Sequence, residues 1–209
     1  MSLIIDHLSF RYFVDKPILS DFSYQFHDQA ITAIVGPSGI GKSTLFQLIL
    51  GFLKPDEGTI SHQGKLLSTP TMVLPTEKRG IGAVFQDFAL FPHLTVYDNI
   101  AFGLKGSKRL HHRHILQLAK LFQLEEILSA YPYRLSGGQM QRVACARALA
   151  PHPSLILMDE PFSNLDETLT IQLRQSLKAY LKDKKMTAII ITHDAKDTLD
   201  FADFCLTIK

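Results

Sequence analysis

The stretch GPSGIGKST, Gly36 to Thr44, stands between a continuously apolar run, ITAIV, and an amphipathic one, KSTLFQLIL. The first reads as a buried strand. In the second, Leu45, Leu48 and Ile49 recur at helical spacing before Gly51, which is placed as a helix stop. Strand, glycine loop and helix is the context in which G-x-x-x-x-G-K-[ST], here Gly36, Gly41, Lys42 and Ser43, forms a phosphate-binding loop. Glycines let backbone N–H groups turn inward as an anion nest, and a helix starting near Lys42 adds the positive end of its dipole. The loop as a whole, Gly36, Pro37, Ser38, Gly39, Ile40, Gly41, Lys42, Ser43 and Thr44, is therefore assigned to phosphate. Lys42 is expected to reach β- and γ-phosphates and the Ser43 hydroxyl to be a Mg2+ ligand.

Strands and helices alternate along the rest of the chain. LIIDHLSF and FSYQF, with Phe22, Tyr24 and Phe26 alternating, read as strands, GTISHQGK as a hairpin and IGAVF as a further strand. From Thr95 to about Tyr131 the pattern turns helical, opening with Thr95 and Asp98 at capping-box spacing and passing a polar joint at Gly106 to Arg109. LSGGQMQRVACARALA reads as another helix, broken by Pro151 and Pro153 before the strand SLILMDE. A helix from about Glu167 to Lys182, the strand TAIIIT, a short helical segment and FCLTI follow. Parallel strands with crossover helices are the economical arrangement. With 209 residues, 46% of them hydrophobic, the chain can fill one substantial core. A net charge of +2 without a basic block argues against a nucleic-acid surface. Cys145 and Cys205 lie in apolar segments and are expected to be buried thiols in a reducing compartment. No run approaches the roughly 18 apolar residues of a membrane span, and the N-terminus lacks the order of a signal peptide.

A phosphate loop needs a metal carboxylate and a group that positions water, and LILMDE carries both at one strand end. Asp159 is expected to hold the metal and Glu160 to act as general base. LSGGQ, Leu135 to Gln139, has two readings. Ser136 and Gln139 make an S-x-x-Q capping box, yet Gly137 and Gly138 weaken a helix start and suit a close approach to bare amides, a second phosphate site. HHRH, His111 to His114, matches no metal spacing and reads as a solvated helix face.

The phosphate loop, VFQD, LSGGQMQR, LILMDE, SNLD and ITHD follow one another as they do in the ATP-binding subunit of ABC transporters, and the resemblance covers essentially the whole chain. It implies an α/β fold: a P-loop NTPase core with a mostly parallel sheet, an N-terminal antiparallel β subdomain and a helical subdomain at roughly 88–150, within a single domain over 1–209. It further implies that Tyr12 stacks on adenine, with Phe13 as the alternative, and that Gln86 senses Mg2+ and attacking water. His193 would contact the γ-phosphate, and Asp166 would lie in a loop joining two subunits. Asn164 stands where the family usually has alanine. In this family two subunits pair head to tail, so Ser136, Gly137, Gly138 and Gln139 of one chain face ATP held by the other. The implied partners are a second copy or a similar ATP-binding subunit, membrane-spanning permease subunits and, indirectly, an extracytoplasmic solute-binding protein. The implied location is peripheral, at the cytoplasmic face of the cell membrane. The segment RGIGAVFQDFALFPHLTVYDNIAFGL is most similar to bacterial importers of polyamines, iron, sulfate or thiamine. Such subunits often carry a C-terminal regulatory domain, which is not expected where the chain ends soon after the histidine motif. The competing reading within the resemblance is a soluble ATPase acting on ribosomes or DNA.

Overall fold

The parallel strands predicted on either side of the glycine loop meet in one sheet, while the N-terminal strands form another. The computed structural model describes residues 3–13 and 15–208. Strands β1 (Leu3–Phe13), β2 (Lys16–Gln25), β4 (Glu57–His62) and β5 (Lys65–Ser68) pair antiparallel in the order β2-β1-β4-β5. Strands β3 (Ile31–Val35), β6 (Ile81–Val84), β7 (Leu155–Asp159), β8 (Thr187–Ile191) and β9 (Phe204–Thr207) are parallel, in the order β6-β7-β8-β3-β9. The helices are α1 (Lys42–Leu50), α2 (Val96–Ala101), α3 (Lys108–Leu121), α4 (Gly137–Leu149) and α5 (Glu167–Asp183), with a π-helical turn at Asp197–Phe201.

The central strands read as unbroken apolar runs because both of their faces are covered. Alternate residues point to opposite sides. Leu155 and Leu157 of β7 join Ile34, Ile189, α1 and the antiparallel sheet in one core. Ile156 and Met158 face the other way, onto Val143 and Ala146 of α4 and Leu173 and Leu177 of α5. Helices α2 and α3 extend this second core through Ile100, Ile115 and Leu118. Thr95 caps α2 as expected, accepting from the Asp98 N–H at 3.1 Å. The preceding turn is pinned by the buried Asn99 amide, which donates to the carbonyls of Phe91, Leu94 and Thr95.

A buried arginine ties the two layers together. Arg79 donates from Nη1 to the carbonyls of Leu48 and Ile49, from Nη2 to Leu67 O and Ser68 Oγ, and from Nε to Leu74 O. It thereby serves orphan carbonyls at the C-terminal end of α1. Burial lowers its pKa to about 10, so it stays charged at neutral pH. No pattern in the sequence announced it.

Two expectations need correction. Cys145 is buried, and burial pushes its thiol up to about 12, but Cys205 is exposed. It lies on β9, at the edge of the sheet and covered by one neighbouring strand only. The histidines of HHRH are solvated only in part, His112 being exposed while His111 and His114 are half-buried. His111 pairs with Lys105 O at 2.8 Å, His112 with the Tyr97 hydroxyl at 3.0 Å and the half-buried His114 with Ala150 O at 3.1 Å. Among the described residues no group of three or more His, Cys, Asp and Glu could hold a metal, and no helix is long and apolar enough to cross a membrane.

Candidate functional site

Parallel strands deliver their C-terminal ends to one rim, and three of them deliver the predicted residues there. Gly36 follows β3, Asp159 ends β7 with Glu160 directly after it, and His193 follows β8. This rim is where open α/β sheets bind ligands. In the loop itself, Gly41 has φ 108°, and a Cβ there would lie 2.8 Å from Ile18 Cγ2. Gly36 is equally constrained, a Cβ meeting Ile208 O at 2.6 Å. Lys42 arches back over the loop, its Nζ donating to Gly36 O at 2.8 Å and Pro37 O at 2.9 Å. The ammonium is thus held against the backbone carbonyls that open the loop.

Ser43 Oγ donates to Asp159 Oδ2 at 3.3 Å, joining the first turn of α1 to the end of β7. Burial holds the Asp159 carboxyl above the usual carboxylate range, and the Glu160 charge adds to this against the Ser43 bond and the Lys42 charge. An under-compensated anion is what a cation site requires. Glu160 adopts φ 49°, the left-handed region, and its N–H donates to Ile191 O at 2.9 Å. Glu160 Oε1 lies 2.9 Å from His193 Nδ1, so the expected base and the expected γ-phosphate contact are neighbours.

Tyr12 is half-exposed, its ring edge-on to Phe10 and its hydroxyl 3.4 Å from Thr44 Oγ1 and 3.3 Å from Gln47 Oε1. It therefore borders the loop from the antiparallel sheet, whereas Phe13 is more exposed still. Gln86 is exposed in the turn after β6, the strand beside β7. Among the described residues no hydrogen bond joins it to Ser43 or Asp159. Asp166 caps α5, accepting from the Leu169 N–H at 2.9 Å.

The LSGGQ residues do form the capping box: Ser136 Oγ accepts from Gln139 N at 3.2 Å and Gln139 Oε1 accepts from Ser136 N at 2.9 Å. Its glycines divide. A Cβ on Gly138 would lie 2.7 Å from Asn164 O, so the SNLD turn of the same chain accounts for that glycine. A Cβ on Gly137 would meet nothing within 4 Å.

Sequence reading missed Arg174. Its buried guanidinium contacts Asp197 Oδ1 from Nε at 2.6 Å and Asp194 Oδ2 from Nη2 at 2.7 Å, while Thr192 Oγ1 donates to Asp197. Asp194 follows His193 directly and Asp197 lies three residues further on, and a cleft of about 540 Å³ lined by Glu160, Ser163, Arg174 and His193 lies alongside. The one available signal was a cation next to Leu173 and Leu177 on the buried side of α5.

Fold and rim define a P-loop nucleotide-binding cassette. The family described as ABC transporter matches residues 19–163, and the chain belongs to it. It is 51% identical over 173 residues to the Fe(3+) ions import ATP-binding protein FbpC of Yersinia pestis, covering 82% of this chain and 50% of that one. A protein of the same name from Pectobacterium atrosepticum, FbpC 2, is 46% identical over 204 residues, covering 97% of this chain and 59% of that one. The chain thus spans about half of the curated relatives it matches. Among solved structures, a dimeric ATP-binding cassette in a post-hydrolysis state, bound to ADP and Pi, superposes with TM-score 0.87 at 30% identity, covering 99% of this chain and 94% of that one. CbiO1 of Clostridium perfringens, part of an ABC transporter complex, gives 0.85 at 30% identity, covering 99% and 84%.

Proposed function

We propose that this chain binds and hydrolyses ATP as the peripheral subunit that powers a membrane ABC importer, on the cytoplasmic face of the cell membrane. The observation that carries the proposal is the meeting of Lys42, Ser43, Asp159, Glu160 and His193 at one rim. Lys42 exchanges its two loop carbonyls for β- and γ-phosphate oxygens, and the loop amides and α1 dipole hold the rest of the polyphosphate. Tyr12, beside Thr44, offers its ring to adenine. Glu160 takes the proton of the attacking water, with His193 orienting its carboxylate and reaching the γ-phosphate.

Ser43 and Asp159, with Gln86, offer oxygen donors alone, the set that suits Mg2+. Bound with the nucleotide, such an ion neutralises phosphate charge.

The chain acts as a single domain over 1–209, with a helical subdomain at roughly 88–150. A second copy or a similar subunit brings Ser136 and Gly137 to the γ-phosphate from outside, membrane-spanning permease subunits receive the motion, and an extracytoplasmic solute-binding protein delivers cargo. The names of the relatives favour transport over a soluble ATPase on ribosomes or DNA, and make ferric iron the first cargo to test.

Glu160→Gln should retain ATP affinity and lose nearly all hydrolysis, since the amide keeps the shape without the basicity. Lys42→Ala should fail earlier, at affinity. Equilibrium ATP binding measured beside phosphate release separates the two, and normal turnover in Glu160→Gln would remove that residue from its role.

A further inference from the structure

Gln141 is 2% exposed and lies on α4, two residues beyond the capping-box glutamine. Both ends of its amide are engaged by one turn. Nε2 donates to Glu160 O at 2.5 Å, and Oε1 accepts from Asn164 N at 3.2 Å. The turn it closes begins with Glu160 at φ 49°, a conformation that glutamate rarely adopts unless its surroundings impose it. Ser163 Oγ donates to the same Glu160 carbonyl at 3.1 Å. That φ sets the direction in which the Glu160 side chain leaves β7, and hence where its carboxylate stands.

A second observation concerns the other end of the link. The start of α4 rests on the same turn so closely that a Cβ on Gly138 would strike Asn164 O and sit 3.0 Å from Leu165 Cδ2. The helix that presents Ser136 and Gly137 outward is therefore packed and hydrogen-bonded, within one chain, to the backbone that carries Glu160.

We propose that Gln141 is a positioning residue for the Glu160 carboxylate, and that it joins the outward end of α4 to this chain's own hydrolytic site. The second half of the inference rests on the proposed function, in which that end of α4 faces a partner's ATP. Engagement of α4 by the partner's nucleotide then moves, through one amide, the carbonyl of the residue that activates water on this chain's nucleotide. Two sites in a pair are coupled without any contact between the two nucleotides.

Gln141→Leu keeps an uncharged side chain of similar bulk and removes both hydrogen bonds. Three quantities are compared with wild type: the dissociation constant for ATP, dimer formation with a non-hydrolysable ATP analogue by size exclusion, and phosphate release under dimer-saturating conditions. Affinity and dimerisation should be unchanged while kcat falls roughly ten- to a hundredfold, the scale of a small misplacement of a reacting group. A merely structural role would lower the melting temperature and leave the rate per folded molecule intact. A wild-type kcat, or a loss confined to dimerisation, overturns the inference. If Gln141→Leu does not fold, Ser163→Ala carries the test, because it removes the other side-chain donor to the Glu160 carbonyl at an exposed position. A severalfold drop in kcat at normal affinity supports the proposal, and an unchanged rate overturns it. A wild-type chain that never dimerises with nucleotide counts against the proposed function, whereas a Gln141→Leu chain with wild-type kcat counts against this inference alone.

Discussion

At the scale of single residues, adjacent glycines in one motif answer to different constraints. Gly138 is required by its own chain, since any side chain there strikes Asn164 O, whereas Gly137 faces open space. Gly138→Ala should therefore lower Tm, by an amount equivalent to about 1–3 kcal/mol of overpacking, even though alanine is the better helix former. Gly137→Ala should leave Tm unchanged or raise it by at most the equivalent of about 1 kcal/mol. If it nonetheless suppresses phosphate release, the open space at Gly137 is occupied by a ligand or a partner during turnover. Thermal unfolding beside an ATPase assay reads both, and a Gly138→Ala protein as stable as wild type would contradict the packing argument.

Elements are joined by buried polar groups whose partners lie far away along the chain. Arg79 is the clearest case. Its guanidinium holds the last carbonyls of α1 and reaches Leu67 and Ser68 of β5, and a Cβ on Gly51, the left-handed residue that stops α1, would lie 2.5 Å from Arg79 Nη2. Arg79→Leu leaves several buried carbonyls without donors, each worth about 1–3 kcal/mol, so the variant should lose on the order of 3 kcal/mol or more. Arg79→Lys should recover little, because one ammonium cannot span the positions that the planar fork reaches. Urea unfolding measures this; a change within about 0.5 kcal/mol, typical of surface sites, would refute it.

At the scale of the whole molecule, Lys42, Ser43, Asp159, Glu160 and His193 gather at one rim, which in the proposed function meets a nucleotide from one side. The capping box at Ser136 belongs to the same chain but makes no hydrogen bond to the phosphate loop among the described residues. If it serves a partner's ATP, hydrolysis should rise more steeply than linearly with protein concentration until dimers saturate. Ser136→Ala then separates the two readings of LSGGQ. As a cap alone, the serine is worth about 1 kcal/mol of stability, and its loss lowers Tm without specific harm to turnover. As a ligand across the pair, its loss abolishes turnover while leaving single-chain ATP binding intact. A Ser136→Ala protein with full activity at saturating concentration would defeat the shared site.

The local parts of this architecture were legible in the sequence because their chemistry closes within a few residues. The apolar run before Gly36, the helical spacing after Lys42, the stop at Gly51 and the cap at Ser136 each depend on neighbours three or four positions away or on one residue's φ. The motifs also occur in the order in which successive strands reach the rim, so Lys42, Asp159, Glu160 and His193 could be named before the fold was seen. Cys205 was misjudged because an apolar segment does not say whether its strand is central or at the edge. Nor does any local pattern single out Gln141 or mark Arg79 as a buried cation. Their partners are set by where the chain returns after 12 to 31 residues, as with Arg79 and Leu67 or Leu48. A buried polar side chain is permitted only where the fold supplies those partners, and tertiary structure alone decides that.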